Sequence, residues 1–594
     1  MYGVGRQSDA FQMIVPGENE SHRIQNVDIG EEVLDISRPN SNFDVVEQRF
    51  PSFRAIHRCF SIARLQGCAT CVIEPLKDLG LLKDDTDELR EMGYRCNPIN
   101  YRISFWRKKL SGRDDVQECE DSNFVGYLIA RNDGIAESKV GWYVFESVFP
   151  VRGCPYVCVP RLGEYCVTVL CRRIYVRGVM FCQQNGINKS CAHVALRSLL
   201  SRRDPARDIS YARINAVAKR IKIPGECLFF PGDGLHAVQI EAVLKEHGVH
   251  YKQIDYERAE EAELKKWQET QPDWLLKNKK ERDADIVRKR AEVSTRLRRD
   301  IDYCKFLYDG AESGWGGLLG FRTFDGRVTS KHMIPIFGHT FNKDSWVSDS
   351  RKFYFRNNGG DTISAYVQSG CWTSDFVGHD DNLGLNFCIP KAYVKAEDVD
   401  YVAELYWDGV VFPGVEAEAV AHRVLLKLKD QLDTTNAWIG RFAQELPFGN
   451  VVYRSLSIAP DRYLKHLEFA QDWHFSREDT KIVEGFRKTK LPSALWVVEV
   501  SLPQLFPANE RKVGEVVIDA TSNSWLEDSK SERITGDFLR AILWIRMPGS
   551  YYYPQYVYGP ESSPKIKFET SPRASAIQSH MPIIDLSSCK DLEN

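Results

Sequence analysis

The feature that most limits how this chain can fold is a change of hydrophobic period at residue 191. Between Tyr101 and Phe181 the apolar residues come in short runs, YRISFW, FVGYLIA, GWYVFESVF, YCVTVLC and IYVRGVMF. These are rich in Val, Ile, Tyr and Phe and are separated by Gly, Asp, Asn and Pro, which is the signature of strands joined by turns. After a polar loop from Gln183 to Ser190, Ala192, Ala195, Leu196, Leu199 and Leu200 fall on one face of an α-helix. Ser190 stands where an N-cap belongs. Cys191 is therefore expected at a helix N-terminus, where unpaired N–H groups and the helix dipole favour thiolate over thiol. Gln183, Gln184 and Asn185 offer amide donors that could reach a developing oxyanion.

A thiolate used in chemistry needs a base. Downstream the chain reads KHMIPIFGHTFNKDSWVSDS, with His332 at the mouth of an apolar strand, Met333 to Phe337, closed by Gly338. Pro335 weakens that strand, because it removes a ladder donor. A second apolar pulse at Trp346 and Val347 leads into Asp349. A histidine at a strand edge with an acceptor on the neighbouring strand is the geometry of a base and its orienter. Each residue has rivals. Cys182 ends a strand and has no helix start, His339 lies at the far end of the His332 strand, and Asp344 sits in the turn FNKD. His193 is helical and expected to point away from the thiol. A lone helical cysteine, or a histidine beside an apolar strand, is more often structural. The conjunction of amide-rich loop, cysteine, late histidine and later acid is what points to nucleophilic catalysis.

Cysteine at a helix start, then His-(apolar)-Gly, then an acid one strand later resembles the papain-like superfamily of cysteine peptidases. The following segment, GLHAVQIEAVLKEHGVHYKQIDY from Gly234 to Tyr256, is similar to its bacterial branch of double-glycine leader peptidases. The resemblance covers about 181 to 395. It implies Cys191 as nucleophile, His332 as general base and acid, Asp349 as orienter and Gln184 as oxyanion donor. The family's glutamine normally falls at the position of Asn185, so either the loop carries an extra residue or Asn185 takes the role. The implied activity is hydrolysis of a peptide or isopeptide bond in a protein or peptide substrate. Transglutaminase-like acyl transfer and a catalytically silent scaffold are the alternatives.

At 594 residues the chain is too long for one core. The expected class is α+β: a flexible lead (1–28), an N-terminal accessory unit with a β-rich second half (29–180), the papain-like region (181–395), a C-terminal α+β module (396–560) and a mobile tail (561–594). The dense mixed charge of 257–303 reads as solvated helices inserted in the central region, or as an arm over the cleft. A net charge of −3 gives no footprint for nucleic acid or an anionic membrane, and no apolar run is long enough to span a bilayer. With no signal-peptide pattern, a cytoplasmic setting is expected. Sixteen scattered cysteines, including the Cys68/Cys71 pair, read as core thiols and not as a disulfide framework or zinc ribbon. No cofactor or metal is expected, and no phosphate-binding loop is present.

Overall fold

The computed structural model describes residues 31–584 except 38–40, 51–53, 136–140, 152–156, 224–228, 273, 275–276, 301, 325–328, 341–351, 357–361, 407–408, 470–486, 489, 507–509, 523–540, 549, 560–561 and 573–580. The lead, 1–28, lies outside them. The class is α+β, built on three large sheets.

The first sheet is antiparallel throughout, in the order Glu32–Asp35, Thr70–Leu76, Ile99–Trp106, Phe124–Asn132, Trp142–Phe149, Arg172–Phe181, Gly163–Val169. Helix Arg54–Leu65 buries Ile56, Cys59, Phe60 and Ala63 against one face, with Phe60 edge-on to Phe105. The second sheet runs Gly384–Pro390, Asp375–Asp380, Thr329–Thr340, Gly317–Phe324, Val399–Tyr406, His250–Asp255, also antiparallel. Pro335 sits inside its long strand, and the register to Asp375–Asp380 shifts just beyond it, between Ile336 and Gly338. The third sheet takes Lys352–Arg356 and Thr362–Gln368 and continues through six more strands to Ser562–Pro572.

Helix Cys191–Leu200 lies between the first two sheets. The spacing suggested one apolar face, but all ten residues are buried. Its apolar residues share a core with Tyr127, Phe145 and Met180 of the first sheet and with Leu318, Met333 and Phe337 of the second. Covering the polar face is possible because Arg197 is neutralised there, by Asp208 at 2.5 Å and Glu146 at 2.8 Å. The first sheet is thus a wall of the region that carries Cys191.

Three expected boundaries differ. Val399–Tyr406 completes the second sheet beyond 395, because its buried residues pair with both Gly317–Phe324 and His250–Asp255. Lys352–Arg356 and Thr362–Gln368 pair into the third sheet, although they lie inside 181–395. The tail is in part structured: Ser562–Pro572 is a strand, Met581–Pro582 pairs Arg511–Lys512, and Ile584 is buried. The charged segment forms a hairpin of helices Tyr256–Glu269 and Lys279–Asp300, docked on the second sheet. Arg298 fixes it, donating to the Ala396 and Val399 carbonyls and pairing with Glu260.

Candidate active site

The helix that begins at Cys191 starts because Ser190 is extended (φ −113°, ψ 179°) and the chain turns helical immediately after it. The Ser190 N–H donates to His193 Nδ1 at 3.2 Å, and His193 Nε2 donates to Asn215 Oδ1 at 2.8 Å. Burial pushes the His193 imidazole down to about 4, against Asn215. His193 is therefore a neutral brace for the helix start.

The loop before the helix is tied to helix Leu81–Glu91 of the first unit. Asn185 Oδ1 accepts from the N–H groups of Ile187 and Asn188, and its amide donates to Asn188 and Asp133. Asn188 donates to Asp85 at 2.7 Å and Glu88 at 3.0 Å. Lys189 is fully buried, 2.8 Å from Asp85 and 4.7–5.1 Å from the ring centres of Tyr143, Phe145 and Tyr211. Gln183 bridges two sheets, accepting from the Val144 N–H at 2.8 Å and donating to the Asp381 carbonyl at 3.0 Å. With Gln183 and Asn185 so engaged, Gln184 is the amide of the three whose side chain makes no hydrogen bond to a described residue. It is partly exposed.

His332 lies on Thr329–Thr340, the strand against which the Cys191 helix packs. The Cys191 thiol is within hydrogen-bonding reach of its ring. Nε2 of the ring stands 3.3 Å from Asp380 Oδ1 and 3.5 Å from Asp381 Oδ1. Phe321 packs edge-on against the ring at 5.5 Å. Asp380 ends the neighbouring strand, and its Oδ1 accepts from the N–H groups of Asn382 (2.9 Å) and Leu383 (3.3 Å), which fixes the carboxylate. Burial alone would lower the His332 imidazole; the Asp380 carboxylate, then Cys191 and Asp381, reverse this and hold it well above its ordinary value. Burial, reinforced by Asp380, pushes the Asp381 carboxyl up to about 7, against the pull of His332. The Asp380 carboxyl is held below its ordinary value: burial opposes this, and His332 overrules it.

The structure therefore brings Cys191 and His332 together, and Gln184 stands in the loop that leads into the Cys191 helix. Asp349, expected as orienter, and its rival Asp344 lie outside the described residues; the carboxylates found beside His332 are Asp380 and Asp381. They end the apolar pulse DFVG and precede the turn NLG, an acid-at-strand-end signal like the one that suggested Asp349. They lie further along the chain than Asp349, because two strands belonging to the third sheet intervene between Thr329–Thr340 and Asp375–Asp380. The rivals are accounted for. Burial raises the Cys182 thiol to about 11, and Arg197 donates to its sulfur at 3.6 Å. His339 is paired with Glu312, which outweighs its burial and holds it up at about 10. Cys68 and Cys71 are buried in the first sheet's core.

Cys191 itself is only 2% exposed. No family model, curated protein or solved structure matches this chain.

Proposed function

We propose that this protein is a thiol hydrolase with a papain-like core, cleaving a peptide or isopeptide bond in a protein or peptide substrate through Cys191, His332 and Asp380. The observation that carries this reading is the line of three groups: a thiol at a helix start, an imidazole in reach of it, and a hydrogen-bonded carboxylate behind the imidazole's other nitrogen. His332 Nδ1 takes the thiol proton and the thiolate attacks the carbonyl. The Cys191 N–H and the Gln184 amide receive the oxyanion, each donor worth on the order of 3 kcal/mol. His332 protonates the leaving amine, and water then resolves the acyl-enzyme. The Asp380 carboxylate, 3.3 Å from Nε2, stabilises the imidazolium that forms.

The deep burial of Cys191 favours a second reading, a silent scaffold that keeps the fold without turnover. A peptide-library screen of the full chain separates the two. Cleavage that disappears in both Cys191→Ala and His332→Ala, with circular dichroism unchanged, supports the hydrolase. Selective alkylation of Cys191 among the sixteen thiols supports an activated sulfur. Cleavage that persists in Cys191→Ala defeats the thiol mechanism, and no cleavage together with no selective alkylation leaves the scaffold.

A further inference from the structure

The Nε2 side of His332 carries more carboxylate than orienting a ring requires. One ligand atom each from His332, Asp380 and Asp381 lies within 4.8 Å of the others, and all three residues are buried. His332 Nε2 and both carboxylate oxygens of Asp381 are buried without a hydrogen-bond partner. Nε2 is close to Asp380 yet not aligned to donate to it. Interior polar atoms are almost always satisfied, and a cluster left open in this way marks the place of an ion or ordered water. The spacing discriminates. Donors around a tetrahedral ion with bonds of about 2.0–2.2 Å stand about 3.3–3.6 Å apart, and Nε2 is 3.3 Å from Asp380 and 3.5 Å from Asp381. Charge agrees: two buried carboxylates balance one divalent cation, with the imidazole neutral.

We propose that His332, Asp380 and Asp381 form a binding site for a zinc-class divalent ion, and that occupation of this site switches off the Cys191 thiol. One imidazole nitrogen and two carboxylates on a buried ledge suit zinc among the divalent ions. On binding, the single proton of the neutral ring passes from Nε2 to Nδ1 by way of solvent and the freed Nε2 lone pair goes to the metal; nothing is oxidised or reduced. With both nitrogens occupied, the ring can no longer accept the thiol proton. The switch rests on the hydrolase reading, whereas the site itself does not. The similar grouping of Cys158, Glu312 and His339 is not open in the same way, because Glu312 is already bonded to both His339 and Arg454.

The test uses the full chain, reduced and stripped of metal, titrated with Zn2+ by calorimetry and with Co2+ by visible absorption. Expected are one equivalent of bound ion and cobalt ligand-field bands without a sulfur-to-cobalt charge-transfer band. Affinity should fall at least tenfold in Asp381→Asn and stay within threefold in Cys191→Ala, and one equivalent of Zn2+ should slow alkylation of Cys191 at least tenfold. Absence of stoichiometric binding, unchanged affinity in Asp381→Asn, or a sulfur band lost in Cys191→Ala each overturns the site. Should Asp381→Asn not fold, the wild-type cobalt spectrum decides, a sulfur band overturning the site and its absence at one equivalent supporting it. If the ion binds as described but peptide cleavage survives in Cys191→Ala, the hydrolase reading and the switch fail and the site stands. If cleavage requires Cys191 but no ion binds, the reverse holds.

Discussion

The ion pair between Lys189 and Asp85 gives a sharp test of how the cysteine loop is held. Both groups are interior, 2.8 Å apart, and come from the loop and from the first unit's helix Leu81–Glu91. The two single replacements are not equivalent. Asp85→Leu leaves the Lys189 ammonium with the Tyr143 hydroxyl at 3.2 Å and three aromatic faces. That strands a charge in the interior, at a cost of about 3–5 kcal/mol. Lys189→Met leaves Asp85 with the Asn188 amide at 2.7 Å and Arg131 at 3.6 Å, and a thioether suits the aromatic box. Its cost is about 1–3 kcal/mol. The double variant replaces the pair by apolar groups and recovers most of the loss. Amide hydrogen exchange of the 185–192 peptide in the intact chain reads these differences. At about 1.36 kcal/mol per tenfold, exchange should speed up roughly 10²- to 10⁴-fold in Asp85→Leu and roughly 5- to 150-fold in Lys189→Met. If Lys189→Met opens the loop as much as Asp85→Leu, or the double variant does no better than the worse single one, the pair does not hold the loop.

Gln184→Ala should lower kcat roughly 10²- to 10³-fold with KM little changed, as loss of one oxyanion donor does; a kcat within threefold of wild type removes Gln184 from the mechanism. Gly232→Ala would put a methyl 2.6 Å from the Gly186 carbonyl oxygen and 2.9 Å from that of Ile187. Because both are backbone atoms, the loop must shift, at about 1–3 kcal/mol, and alkylation of Cys191 should change with it; an unaltered melting temperature and alkylation rate would refute the contact. Burial would raise the Glu312 carboxyl, but Arg454 and His339 hold it down at about 2. Its stabilisation is complete above its unfolded value of 4.5 and is lost as pH falls toward 2. His339, held at about 10, contributes fully below its unfolded value of 6.5 and loses that share as pH rises through 10. Glu312→Gln should therefore flatten the fall in melting temperature between pH 6 and pH 10, and a slope equal to that of wild type counts against the pairing.

Local periodicity made much of the site legible. The Cys191 helix start and the His332 strand follow from residues adjacent in sequence, where hydrophobic spacing and capping chemistry act directly. The partner of His332 was not legible, because which strand lies beside Thr329–Thr340 is decided by sheet pairing across an intervening segment. Burial of the helix on all sides was hidden for a related reason. Arg197 and His193 fall off the apolar face, and nothing in the adjacent residues announces the carboxylates of Asp208 and Glu146, or the amide of Asn215, that tertiary packing brings to them. The strand Val399–Tyr406 shows the same limit: its residues reveal that it is buried, but not which sheet buries it.

The short strand Val157–Cys158 belongs in sequence to the first unit, yet it pairs with His339 and Thr340 of the second sheet. A fragment cut to begin at residue 181 would lack this strand, exposing backbone donors and acceptors along the rim of the sheet that bears His332. Such rims recruit other chains. Excised fragments of this region would thus clump for reasons unrelated to chemistry, and their silence in an assay would not count against the proposed hydrolysis.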